Sequence, residues 1–142
     1  MKISIIVPVY YNESNLYALY EDLKCKVLTK IEQAYEIVFV NDGSKDGSLR
    51  ILKELAEQDN NIKVISLSRN FGSHAAILCG LSNCTGDCAV VKAADLQEPS
   101  DKYFPVECIQ TTLLQQGIEE QQDTPISSNL SVLFAKSSYL LS

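Results

Sequence analysis

The amino-acid sequence predicts an α/β fold, with a mainly parallel sheet and flanking helices. Three observations predict it. Short apolar runs, Ile3 to Tyr10 and, without any polar alternation, Ile37 to Val40 among them, suit strands covered on both faces, as parallel strands are. Such runs give way to turn-forming residues and then to segments with apolar side chains at helical spacing. The strand–loop–helix unit repeats along the chain, which specifies parallel strands joined by right-handed crossovers.

The first strand covers Ile3 to Tyr10, and Pro8 marks its end or an open edge, because proline has no N–H to give a ladder. Tyr11-Asn12-Glu13-Ser14-Asn15 is its loop. The helix that follows puts Leu16, Leu19, Tyr20, Leu23 and Val27 on one face, with Glu21, Asp22, Lys24 and Lys26 outward. The second strand, Ile37 to Val40, stops at Asn41-Asp42-Gly43-Ser44. Its helix carries Leu49, Leu52 and Leu55 on one stripe with Ile51 beside it, and ends near Asp59-Asn60-Asn61. Ile62 to Leu67 alternates more and is expected nearer a sheet edge. Ser68-Arg69-Asn70-Phe71-Gly72 is the third loop. The helix over Ser73 to Leu81 is dense in Ala75, Ala76 and Gly80, small residues that let a helix lie close to a sheet. Cys84-Thr85-Gly86-Asp87 turns the chain into a fourth strand, Cys88 to Ala93. No Gly-rich phosphate turn follows the first strand, which argues against a dinucleotide fold and a P-loop.

Beyond about Asp101 the pattern weakens. Two helices are expected there, over Val106–Gln116 and Leu130–Leu141, the second partly uncovered. The chain thus divides into a domain over residues 1–101 and a C-terminal segment over 102–142, mostly helical or irregular.

The totals bound the function. A chain of 142 residues, 46% hydrophobic and 21% charged, is an ordinary globular composition. A net charge of −6 argues against a nucleic-acid partner held through phosphates, but leaves anionic ligands open. No apolar run approaches the roughly 20 residues of a membrane span, and Met1-Lys2 leads straight into a strand, so a cytosolic protein is expected. The five cysteines, an odd count, are expected reduced and packed as small apolar groups. Cys84 and Cys88 lack the CxxC spacing of a zinc site, and His74 is not spaced to help.

Ligands of open α/β sheets bind beyond the carboxyl ends of the strands. Asp42 stands there, where a carboxylate accepts hydrogen bonds from a nucleobase or ribose. The plainer alternative is that Asn41, Asp42 and Asp46 only make the turn and cap the helix.

Four motifs occur in one order at these loops: Val7-Pro8-Val9-Tyr10-Tyr11-Asn12-Glu13, Val40-Asn41-Asp42-Gly43-Ser44-Lys45-Asp46-Gly47-Ser48, Ser68-Arg69-Asn70-Phe71-Gly72 and Ala94-Asp95-Leu96-Gln97-Glu98-Pro99. Together they resemble the N-terminal, Rossmann-like half of a family 2 glycosyltransferase with the GT-A fold, and the polyprenyl-phosphate and dolichol-phosphate members in particular. The resemblance implies a nucleotide-diphosphate sugar donor (UDP- or GDP-linked), a Mg²⁺ or Mn²⁺ ion and inverting transfer. The acceptor would be a polyprenyl phosphate or glycan at the inner membrane face, as in cell-envelope polysaccharide assembly. By position, Pro8, Tyr10 and Glu13 match the loop around the nucleoside, Asp42 the acid that reads the base, and Arg69 the loop near the nucleotide. Asp95 matches the last acid of the DXD-type motif, which holds the metal. Tyr10 and Tyr11 also read as loop aromatics packing on neighbours, Arg69 as a partner for a rim carboxylate, and His74 as a surface residue.

Two departures accompany the resemblance. The usual acid two residues before Asp95 is Ala93, preceded by Lys92, so metal binding is expected to be weak. Lys92 would either neutralise phosphate or be an exposed strand-end residue, and Glu98 would supply a ligand if its loop bends back. Nothing after Asp101 matches the family's acceptor half, and no general base can be nominated. A truncated, inactive nucleotide-binding remnant is therefore the alternative to an active transferase, and an unrelated doubly wound nucleotide binder is a third.

Overall fold

A computed structural model describes residues 2–94 and 133–135. The elements are β1 (Lys2–Val9), α1 (Leu16–Leu23) running on into a π-helical turn (Lys24–Leu28), β2 (Ala34–Asn41), α2 (Ser48–Gln58), β3 (Ile62–Ser66), α3 (Ser73–Asn83), β4 (Cys88–Val91) and β5 (Leu133–Ala135). They form one sheet in the order β3-β2-β1-β4-β5. The first four strands are parallel. β3, the strand with the alternating pattern, is at the edge as expected.

Strand parity divides the core. Ile3, Ile5, Val7, Val9, Ile37, Phe39, Cys88 and Val90 face α1 and α2, where Leu16, Leu19, Leu23, Ile51, Leu52 and Leu55 meet them. The alternate residues Ile6, Val38, Val40, Ala89 and Val91 face α3 and pack on Ala76. A side chain on Gly80 would run into Ile6 and Val40, so the small residues of α3 do bring that helix close to the sheet. Cys84 and Cys88 are buried in this packing as free thiols.

At the amino ends of the strands a polar cluster is buried on the α3 face. Ser4 and Glu36 are register partners on β1 and β2. Ser4 Oγ donates to Glu36 Oε1 at 2.6 Å, Thr85 N donates to the same oxygen at 2.5 Å, and Gly86 N donates to Ser4 Oγ at 2.9 Å. Burial pushes the Glu36 carboxyl up, but the Ser4 and Thr85 hydrogen bonds and the Lys2 charge outweigh it and hold it below the usual range. The cluster pins the α3–β4 turn to the sheet.

Two expectations are corrected. Leu133–Ala135, inside the stretch read as a helix over Leu130–Leu141, is a strand antiparallel to β4. A short apolar run carries no period that tells helix from strand, and the far side of β4 offers backbone groups that need partners. Lys92, read as an exposed strand-end residue, is only 2% exposed. Its amide donates to Ile6 O at 2.9 Å, so β1–β4 pairing continues past Val91 and carries the side chain inward. The helix expected over Val106–Gln116 lies outside the described residues.

Candidate functional site

The loop after β2 ties its two neighbours together. Ser44 Oγ accepts the Tyr11 amide at 2.9 Å, and Ser48 Oγ accepts the Asn12 amide at 3.2 Å. Asp46 accepts the Ser48 amide at 3.0 Å and the Glu13 amide at 3.4 Å. Burial pushes the Asp46 carboxyl up, yet these bonds prevail and lower it. On the other side, Asp42 Oδ1 accepts the Phe71 amide at 2.8 Å and Oδ2 the Gly72 amide at 3.1 Å. Gly43 lies between, at φ +72°, against the backbone of Arg69 and Asn70 where a Cβ has no room. Of the turn-and-cap roles foreseen, Asn41 Oδ1 accepts the Ser44 amide at 3.3 Å and Asp46 accepts the Ser48 amide, but the N-cap of α2 is Gly47 without a side-chain cap, and Asp42 bonds to a loop far away in sequence.

The three loops converge where β1 and β4 part. Ile6 O faces β4, whereas Val9 O accepts the Asp42 amide at 2.8 Å on the β2 side. By the same alternation Pro8 faces the β4 side, beyond the last β1–β4 pair, Ile6↔Val91. The missing N–H of proline costs nothing there, and a cleft opens. It is the topological switch point of the sheet, where successive strands step to opposite sides of β1. The cleft has a volume of about 270 Å³; Pro8, Tyr10, Asn12, Asp42, Asn70 and Ala93 are among its lining residues.

Three of the expected site residues, Pro8, Tyr10 and Asp42, therefore share one cleft. Two do not line it. Glu13 turns to the start of α2, with Oε1 3.8 Å from Arg50. Arg69 stacks its guanidinium over the Phe71 ring, 4.6 Å from the centroid, and pairs with no carboxylate among the described residues. Asp95 and Glu98 lie outside the described residues. His74 is exposed. Tyr10 and Tyr11 meet edge-to-face at 4.6 Å, each about half exposed. Tyr11 adopts φ +53°, a left-handed conformation costly for a bulky side chain and held by the Ser44 bond. Asn12 and Asn70 were missed as site residues, although both stand in the quoted motifs. Polar residues in successive βα loops were the available signal.

The described lining residues do not by themselves make a metal site. Asp42 is the one carboxylate among the described lining residues, and both its oxygens accept amides. Ala93 contributes only a methyl group, and no cluster of three His, Cys, Asp or Glu able to hold a metal occurs among the described residues. No described helix is long and apolar enough to cross a membrane.

A family model described as glycosyl transferase family 2 matches residues 4–106. CsbB of Bacillus subtilis is 46% identical over 125 residues, 88% of this chain and 35% of its own. The undecaprenyl-phosphate 4-deoxy-4-formamido-L-arabinose transferase of Proteus mirabilis is 40% identical over 102 residues, 71% of this chain and 31% of its own. The chain thus spans about a third of the length of these relatives. Among solved structures, Staphylococcus aureus TarS 1–349 with UDP-GlcNAc superposes with a TM-score of 0.58 at 30% identity, over 67% of this chain and 27% of that one. The mannosyltransferase PcManGT of Pyrobaculum calidifontis, in complex with GDP-Man and Mn²⁺, superposes with a TM-score of 0.62 at 20% identity. That match covers 72% of this chain and 30% of that one, and shows a shared GT-A fold.

Proposed function

The chain belongs to glycosyl transferase family 2, and from that premise we propose that its switch-point cleft binds the nucleotide end of a UDP- or GDP-linked sugar. The observation that carries this is the convergence of three βα loops on one cleft that holds Pro8, Tyr10 and Asp42 together. Tyr10 offers a half-exposed ring to the base. The loops are held to one another by hydrogen bonds, so the cleft is preformed and little ordering cost falls on binding.

In the longer proteins that this chain resembles, the same cleft would feed an inverting displacement with a polyprenyl phosphate or glycan as acceptor, at the membrane surface. The undecaprenyl-phosphate transferase among its relatives supports that direction. A divalent cation, when bound, offsets charge gathering on the departing diphosphate. Asp95 is the residue proposed to hold Mg²⁺ or Mn²⁺, weakly, because Ala93 replaces the companion acid.

Ala93 also favours a second reading, nucleotide binding without transfer. Calorimetry of the 142-residue chain with UDP and GDP, with and without Mn²⁺, separates the two. Weak binding that Mn²⁺ changes little, with no sugar turnover, fits the binding module; strong Mn²⁺-dependent binding with turnover fits the transferase. Ala93→Asp should raise Mn²⁺-dependent affinity, and no gain would remove Asp95 from the metal role.

A further inference from the structure

We propose that Tyr11 is a positioning residue for Tyr10: its left-handed backbone is kept, at a cost in folding stability, because it sets the Tyr10 ring at the cleft. The inference rests on the nucleotide binding proposed above and deepens it, adding a residue that acts from outside the cleft.

Consecutive residues of an extended chain send their side chains to opposite sides. β1 ends at Val9, and two residues later that alternation is broken. Tyr11 takes φ +53° and is the only non-glycine residue with positive φ among the described residues. In this turn the neighbouring rings of Tyr10 and Tyr11 meet, with 4.6 Å between centroids and 80° between planes. Aromatic pairs favour that edge-to-face arrangement. Tyr10 lines the cleft and Tyr11 does not, so the second ring supports the first from outside.

A left-handed backbone is unfavourable for a residue with a Cβ, and it persists only where the surroundings over-determine it. Two hydrogen bonds do so here. Ser44 Oγ accepts the Tyr11 amide and Asn12 Oδ1 accepts the Tyr10 amide, both at 2.9 Å. Glycine would make the same turn without the penalty, so the turn by itself gives no reason for tyrosine. What tyrosine adds is a ring. Tyr11 is 49% exposed and adds little to the core, and the ring it meets belongs to Tyr10, 47% exposed. A ring already held in place loses less freedom when a base stacks on it, so the support acts on affinity.

The test is equilibrium binding of UDP and GDP to the full 142-residue chain and to its Tyr11 variants, with a urea midpoint for each. Tyr11→Gly and Tyr11→Ala both remove the ring, and each should weaken nucleotide binding by about two- to tenfold. The two should differ in stability, glycine being the more stable, because alanine keeps the cost of positive φ. Tyr11→Phe keeps the ring and should keep the affinity. Affinity then follows the ring while stability follows the backbone, a separation that a purely structural role does not produce. In a Tyr10→Ala background, itself weaker by about fivefold or more, Tyr11→Gly should have no further effect on binding. A full further loss there would make Tyr11 a ligand contact in its own right and overturn the positioning role. Wild-type affinity in both ring-deleted variants, or affinities that fall in step with stability, would overturn it as well. A ligand-free measurement separates this inference from the function it rests on. The Tyr10 ring-proton NMR shifts should move in Tyr11→Gly, and unchanged shifts would overturn the ring support alone. No binding of either nucleotide by the wild-type chain would overturn the proposed function and the inference together.

Discussion

Asp42 is expected to hold the site's backbone together, and Asp42→Asn tests this directly. The carboxylate is 3% exposed and accepts the Phe71 and Gly72 amides at 2.8 and 3.1 Å. Hydrogen bonds to a charged acceptor contribute about 1.5–3 kcal/mol each, against about 1 kcal/mol for a neutral pair. Asparagine keeps one oxygen, which can take the shorter Phe71 bond at neutral strength, and turns an NH₂ toward the Gly72 amide. That amide is not orphaned, because Asn70 Oδ1 also accepts it at 2.9 Å. The expected loss is therefore about 1–3 kcal/mol, below the sum of two charge-assisted bonds. With a urea slope of roughly 1–3 kcal/mol/M, the midpoint should fall by about 0.5–1.5 M. Hydrogen exchange should localise the effect, with the Phe71 and Gly72 amides exchanging faster and the β1–β2 ladder unchanged. An unchanged or raised midpoint would refute the latch, because a buried carboxylate that merely waits for ligand is stabilising to remove.

Three further outcomes follow from the same geometry. Gly43→Ala should destabilise the fold by about 2 kcal/mol or more, since φ +72° is costly for alanine and its Cβ meets the Arg69–Asn70 backbone; thermal melting that stays at the wild-type midpoint would contradict this. Glu36, whose carboxyl is lowered in the folded protein, contributes stability that is complete above its unfolded value of about 4.3 and is lost as pH falls toward the folded value. Urea midpoints between pH 7 and 3 should decline less steeply for Glu36→Gln than for the wild-type chain, and identical slopes would exclude the assignment. Phe39→Ala, at a fully buried position, should cost about 3–5 kcal/mol and so much of the folded population, read by circular dichroism.

The order of strands and helices through β4, and the buried face of α1, were legible in the residues, whereas on α2 Ile51 is buried with Leu52 and Leu55 and Leu49 only partly so. Leu16, Leu19, Tyr20, Leu23 and Val27 are all buried as their spacing requires. Pro8 correctly marked an open place in the ladder, because a missing N–H is a property of the residue itself. The first three loops were legible as one rim of the fold, since turn-formers after apolar runs place them at one edge of a parallel sheet. The directions of side chains within those loops were not. Glu13 and Arg69 stand in matching motifs, yet one faces Arg50 and the other Phe71.

Periodicity reports whether a residue faces water or core, and that alone determined the α/β architecture and the end of the sheet that carries the site. It contains no information on which distant group a polar side chain will meet. The commitment of Asp42 to amides about thirty positions away, the burial of Lys92 and the pairing of Leu133–Ala135 with β4 were decided only when strands were brought side by side. Hydrogen bonds are short and directional, so their partners are set by tertiary contact and not by local sequence.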